Sequence, residues 1–197
     1  LKFEYDMEKI YFGDSKKRYY GIVRDTGKKY IRGMNIIRKD TPEFMKGALN
    51  KIAEFAVREK LSVDHLIALR KKLESVNYKE IGISKSFTKK FNEYIKTMPQ
   101  HVKASVWANE KLNTTIKNTD NPYLFYIKSN CEEDMKSRDR QTAICLNEED
   151  LHLVDDRKDV FELDYDTFFK KQVLDQLKEF NKIDSVKNIL EEYKETN

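Results

Sequence analysis

The sequence predicts an α+β fold: an N-terminal antiparallel β hairpin or sheet, followed by a mainly helical region with a short inserted strand pair. Three observations carry this. Apolar and polar residues alternate with a period of two near the N-terminus. From Phe44 onward, apolar residues recur at three- and four-residue spacing. Two short apolar runs, 123–128 and 143–146, then interrupt the helical pattern.

Phe3, Tyr5 and Met7 alternate with Lys2, Glu4 and Asp6, as a half-buried strand requires. Tyr19 to Val23 and Lys29 to Arg32 flank Asp25-Thr26-Gly27, a turn-forming cluster, so a hairpin is expected there. Asp40-Thr41-Pro42-Glu43 starts a helix, with a capping side chain, a proline in the first turn and an acid at the positive end of the dipole. Phe44, Ala48, Ile52 and Ala56 then recur every fourth residue beside Met45, Leu49 and Ala53. Ser62 can cap a second helix bearing Leu66, Leu69, Leu73 and Val76. Residues 77–98 are polar and break the pattern. A third helix is expected from about Gln100 to Leu112, with Val102, Val106 and Ala108 on one side. After the strand pair the chain returns to helix through Phe169, Val173, Leu174, Leu177 and Phe180, then Val186, Ile189, Leu190 and Tyr193.

The 197 residues, 39% hydrophobic and 37% charged, suit one globular domain or two small ones. Trp107 and the phenylalanine and tyrosine stripes are assigned to the core. No apolar run approaches the ~18 residues of a membrane span. The first residues are neither a signal peptide nor an initiator context, so a cut piece of a longer chain is expected. Cys131 and Cys145 lack the ligand spacing of a zinc site and are expected to be free thiols in a reducing compartment. Net charge is only +4, yet it is unevenly spread: Lys85 to Lys103 contains five lysines and a single Glu, whereas 147–166 is acidic. A basic patch fits a polyanionic partner, and a solvated face gives the same count.

Five blocks, in order, resemble the C-terminal part of a family B DNA polymerase. Leu1-Lys2-Phe3-Glu4-Tyr5-Asp6 is similar to the palm strand after that family's second catalytic aspartate motif. "KKRYYG" (Lys16 to Gly21) resembles its Lys-Lys-x-Tyr motif. "RGMNIIRKD" (Arg32 to Asp40) resembles the segment that opens the thumb. "ISKSFTKKFNEYIKTMPQHVKASVWANEKL" resembles the thumb stretch with a Pro-His-Val-type helix, and "FELDYDTFFKKQVLDQLKEF" the terminal helix. The blocks run from Leu1 to about Ile183. A Gln interposed in "PQHV" and a lysine-rich thumb depart from the pattern in ways that bear on the subgroup and not the family, and low Gly and Ala content points to a viral or otherwise divergent member.

The resemblance implies a palm edge over 1–40 and a thumb over 41–197. The catalytic aspartates, fingers and proofreading exonuclease are expected upstream of Leu1, so the chain should hold DNA without polymerising by itself. Mg²⁺ is expected in the full-length enzyme, none bound by this chain alone. The implied partners are primer–template duplex DNA and the remaining polymerase domains (exonuclease, fingers and catalytic palm), with no membrane, at an intracellular site of DNA replication. A stand-alone, non-catalytic nucleic-acid-binding or scaffold module built on a thumb is the alternative. A small interaction domain with merely solvated lysines is a third.

The candidate DNA-binding residues follow from the same blocks. On a strand, Lys17 and Tyr19 would share one face, and Lys16 and Arg18 the other. Ammonium and phenol groups at a minor groove or primer phosphate position a duplex without reading its sequence. The plain alternative is a basic edge strand that resists aggregation. Arg38 and Lys39 are expected near primer-strand phosphates, and Asp40 to order the junction or cap the helix. Ser84, Lys85, Lys89, Lys90, Lys96, His101 and Lys103 suit a sliding phosphate grip, with His101 equally suited to capping or packing. His65 and His152 are taken as structural. Asp6 and Glu4 are candidate auxiliary carboxylates, or else an exposed strand face. The acidic run from Glu148 to Asp156 is expected to face solvent.

Overall fold

The computed structural model describes residues 5–14, 17–34, 36, 38, 40–94, 97–131 and 141–196. Glu4, Lys16, Lys39 and Lys96 therefore lie outside the described residues. The chain packs as two compact units. One comprises Leu1–Lys39, Phe44–Glu74 and Phe169–Asn197, and the other Asp40–Glu43 and Ser75–Phe168.

The first unit opens with three antiparallel strands, β1 (Met7–Phe12), β2 (Tyr19–Val23) and β3 (Lys29–Arg32), in the order β1-β2-β3. The β2–β3 turn falls on Asp25-Thr26-Gly27, with Gly27 at φ +63° and its amide donating to the Val23 carbonyl at 2.9 Å. The register shifts between Met7 and Lys9, a bulge at Glu8. Tyr20 and Ile22 of β2 are fully buried. The rings of Tyr11 and Tyr20 both meet Phe180, at 5.1 and 6.0 Å, and the Tyr11 hydroxyl donates to the Glu179 carbonyl at 2.8 Å.

Helix α1 (Glu43–Val57) buries Met45, Leu49, Ile52, Ala53, Ala56 and Val57. α2 (Val63–Leu73) buries Leu66 and Leu73. Its start is held as the sequence suggests: the Ser62 amide donates to His65 Nδ1 at 3.1 Å, and the Ser62 hydroxyl lies 2.7 Å from the same nitrogen. The expected stripe of α1 is split, however. Ile52 and Ala56 are buried, whereas Phe44 and Ala48 are only half-buried, as is Leu69 of α2.

In the second unit, α3 (Tyr78–Ile81) and a two-residue strand β4 (Ile83–Ser84) occupy the polar stretch where no element was expected. α4 (Gln100–Leu112) matches its expected bounds and packs on β6. The strand pair β5 (Tyr123–Ser129) and β6 (Ala143–Leu146) is present, and it is extended by β4 and by β7 (Phe161–Leu163), all antiparallel to β5. The acidic run holds a short helix, α5 (Leu153–Asp156), and its charges are largely exposed. It is nonetheless tied back: Lys79 Nζ reaches Glu148 at 2.7 Å and the Tyr78 hydroxyl donates to Asp155 at 2.9 Å.

α6 (Tyr165–Phe169) ends this unit with Phe168 buried. The chain then runs through a π-helical turn (Lys170–Leu174), α7 (Asp175–Leu177) and a 3₁₀ turn (Lys178–Phe180), before α8 (Asp184–Thr196) packs on α2. A stripe at strict four-residue spacing, Phe169–Val173–Leu177, drifts around a helix of about 3.6 residues per turn. One wider turn brings it back, and all three side chains are buried.

Candidate nucleic-acid interface

β1 and β2 pair as far as Phe12 and Tyr19, and the Gly13 amide then donates to the Arg18 carbonyl at 2.9 Å. This closes the loop that presents Lys17. Lys17 and Arg18 are exposed and Tyr19 is half-buried. The chain leaving β3 passes beneath the loop at Gly33, whose φ is +68°. A Cβ at Gly33 would lie 2.6 Å from the Lys17 carbonyl oxygen and 3.1 Å from Arg18 Cγ, so glycine is required by both backbone and space.

Because β2 begins at Tyr19, strand alternation does not extend to Lys17, which sits in the turn. The expected shared strand face of Lys17 and Tyr19 is corrected accordingly. Arg18 packs against Gly13 and Gly33 and lines a cavity of about 140 Å³ with Asp14, Asp175 and Glu179.

Directly opposed residues share a face, so Phe12, Tyr19 and Arg32 stand together, as do Ile10, Gly21 and Tyr30. The Phe12 and Tyr19 rings are 6.4 Å apart, and Tyr5 stacks on Tyr30 at 5.1 Å. Lys28 Nζ lies 5.2 Å from the Tyr30 ring centroid. Tyr5 and Phe12 remain 48% and 39% exposed, which leaves an open aromatic face edged by cations. Period-two alternation marks such residues equally whether a face is covered or open, so the sequence reading missed this face.

Other charges of this unit are already engaged. Asp6 pairs with Arg24 Nε at 2.9 Å, both side chains more than half exposed. Arg58 binds Glu8 and, at 3.0 Å, Glu54, which also receives Lys29 at 2.7 Å. The Lys29 hydrogen bond, then that of Arg58, holds the Glu54 carboxyl below the usual range, and Arg58 does the same to Glu8. Among the described residues, no three His, Cys, Asp or Glu side chains converge to hold a metal ion.

In the second unit, Ser84 is exposed opposite Tyr123, and the Lys85 amide donates to the Pro122 carbonyl at 2.9 Å. Lys85 Nζ donates to Asp40 Oδ2 at 2.6 Å. His101, in the first turn of α4, stacks on Phe87 at 5.5 Å. Burial, then the charge of Lys85, lowers its pKa from the usual 6.5. Three residues far apart in sequence, Asp40, Lys85 and His101, are thus brought together, and no local pattern announces it. Lys89, Lys90 and Lys103 are exposed and form no ion pair among the described residues. Arg38, in the first unit, is also exposed. His152 Nδ1 lies 2.9 Å from the Glu149 carbonyl oxygen.

The chain is a member of DNA polymerase family B, whose model matches residues 1–183. Among individual proteins, it is similar to DNA polymerase 1 of Saccharolobus solfataricus, 30% identical over 117 residues covering 51% of this chain and 13% of that protein. The DNA polymerase of Archaeoglobus fulgidus is 32% identical over 118 residues, 56% of this chain and 15% of the relative. DNA polymerase 1 of Aeropyrum pernix is 29% identical over 142 residues, 64% of this chain and 14% of the relative. The chain spans only 13% to 15% of the length of these relatives. Among the described residues, no helix is long and apolar enough to cross a membrane.

Proposed function

We propose that this chain is the DNA-holding C-terminal portion of a family B DNA-dependent DNA polymerase, with 1–40 as palm edge and 41–197 as thumb. It grips the primer–template duplex through the backbone and does not read bases. The observation that carries this reading is the exposed Lys17 in the turn before Tyr19, where the family-like Lys-Lys-x-Tyr motif stands, at the start of the central strand of a sheet anchored through Tyr11 and Tyr20. Arg38 on the palm side, and Ser84, Lys85, Lys89, His101 and Lys103 on the thumb side, add phosphate contacts.

Nucleotide addition, with its Mg²⁺, is assigned to the longer enzyme, at the site of DNA replication within the cell. In this chain Asp6 is held by Arg24, and the described residues do not converge on a metal. Asp6 and Glu4 are at most auxiliary carboxylates of that larger site.

Fluorescence anisotropy with a labelled primer–template across a salt series tests the assignment. Lys17→Ala combined with Tyr19→Phe should weaken binding about equally for all sequences, the salt slope falling by about one for each phosphate no longer neutralised. A doubly substituted chain that binds as well as its parent removes the motif from the interface. Absence of duplex binding even at about 50 mM salt, where phosphate-driven binding is strong, removes the function itself. Adding a polypeptide that carries the aspartate motifs should restore primer extension, which a stand-alone binding module would not support.

A further inference from the structure

α1 and α2 leave an open groove of about 360 Å³ between them, at the small end of the ~300–1,000 Å³ typical of ligand pockets. Phe44, Ala48 and Phe55 of α1 and Leu69 of α2 form its apolar walls. His65 closes one end, its ring 4.7 Å from that of Phe55 and its Nδ1 committed to Ser62. Among the described residues, the formally charged side chains that line the groove are Lys51 and Lys72, and no carboxylate does so. Lys72 lies with its ammonium 5.4 Å from the Phe44 ring centroid.

Gly47 lines the same groove, within the 15-residue helix α1. A glycine inside a helix costs about 0.5–1 kcal/mol relative to alanine. Close packing elsewhere in a fold can require one, but a Cβ at Gly47 would meet nothing within 4 Å. No contact among the described residues calls for glycine there. What the residue provides is bare helix backbone on a groove wall, where a second chain can approach closely.

We propose that this groove docks a short acidic segment of another protein, with an aromatic or leucine anchor between Phe44 and Leu69 and a flanking carboxylate at the exposed Lys51. The mode is that of an amphipathic segment laid into a hydrophobic groove. Duplex DNA fits less well, because a phosphate would use Lys51 and leave the apolar walls without a partner.

The test is selection of random phage-displayed peptides on the whole chain, in parallel with Gly47→Leu. Leucine is a good helix former and its side chain would fill the groove, so Gly47→Leu should keep or raise the parent's Tm. The expected result is enrichment, on the parent only, of peptides with Asp or Glu around Phe, Trp or Leu. A fluorescein-labelled winner should bind the parent at least about tenfold more tightly than Gly47→Leu or Lys51→Glu, more weakly as salt rises. Lys51 is exposed, so Lys51→Glu carries the test even if Gly47→Leu does not fold. Enrichment of basic or neutral peptides, or none that depends on Gly47 and Lys51, overturns the proposal. So does a concentration-dependent dimer, or duplex binding, abolished in Lys51→Glu while no acidic peptide is selected.

Discussion

Removing one oxygen atom from the core, by Tyr20→Phe, is expected to stabilise the chain. Tyr20 is fully buried, its ring edge-on to Phe180, and its hydroxyl has no hydrogen-bond partner among the described residues. A polar group taken out of water without a partner costs about 1–3 kcal/mol, and only the folded state bears it. Phenylalanine keeps the ring contacts and leaves a hole of one oxygen, smaller than the methyl-sized cavity worth about 1 kcal/mol. The balance is a gain of about 1 kcal/mol, or roughly 2–4 °C in Tm for a chain of this size.

A second signature is alkaline. Burial, with the Glu54 carboxylate adding to it, raises the Tyr20 phenol well above its ordinary 10.0. The folded chain therefore holds this proton more tightly than the unfolded one. Stability fully present below pH 10 is then lost as pH rises beyond it, by up to about 1.4 kcal/mol per pH unit for each such group. Tyr11 and Tyr126 are shifted the same way by burial, so the variant's alkaline slope should be shallower without being flat. Urea melts followed by circular dichroism, at neutral pH and through the alkaline range, measure both effects. A lower neutral-pH stability with an unchanged alkaline slope would refute the reasoning, because the hydroxyl would then be satisfied.

Arg58→Ala should lower Tm, and the gap to the parent should close as pH falls below 4.5. Glu8 and Glu54 are held below that value, so their contribution is present above it and lost as they protonate; a gap constant to about pH 3 contradicts this. The imidazole of His101, monitored by NMR, should titrate below 6.5, and stability should fall as pH drops through that value, since the folded state resists the proton. A midpoint above 6.5 would mean that a carboxylate outweighs the burial of the ring and the charge of Lys85. Ellman's reagent should modify Cys131 in the folded chain and Cys145 only on unfolding, because burial pushes the Cys145 thiol up to about 12; two equally fast thiols would exclude it.

Where the physics is local, the residues announced the structure. Asp25-Thr26-Gly27 marked the hairpin, Ser62 the start of α2, and the apolar spacing of α4 its full extent. Where only distant contacts decide, they did not. β4 and β7, with two and three residues, are too short for any period to register and exist because β5 offers them backbone partners. The apolar stripe of α1 was legible, but periodicity does not say which half a neighbour covers, so Phe44 and Ala48 read as core. The Lys85–Asp40 pair has no counterpart in either local sequence. The family blocks were legible as an ordered set from Leu1 to about Ile183, the same extent that the family model matches.

Gly33 illustrates how a position without a side chain governs charges elsewhere. The backbone turning there lies directly beneath the Lys17 carbonyl and abuts Arg18 Cγ, while Arg32, one residue before it, stands across from Tyr19. Any larger residue at 33 must lift the basic loop and shift the end of β3 together. In a mutational screen such a change would score like removal of a side chain of this loop, although Gly33 has none to remove. The charges of this loop are therefore placed as a unit, set by an atom that is missing.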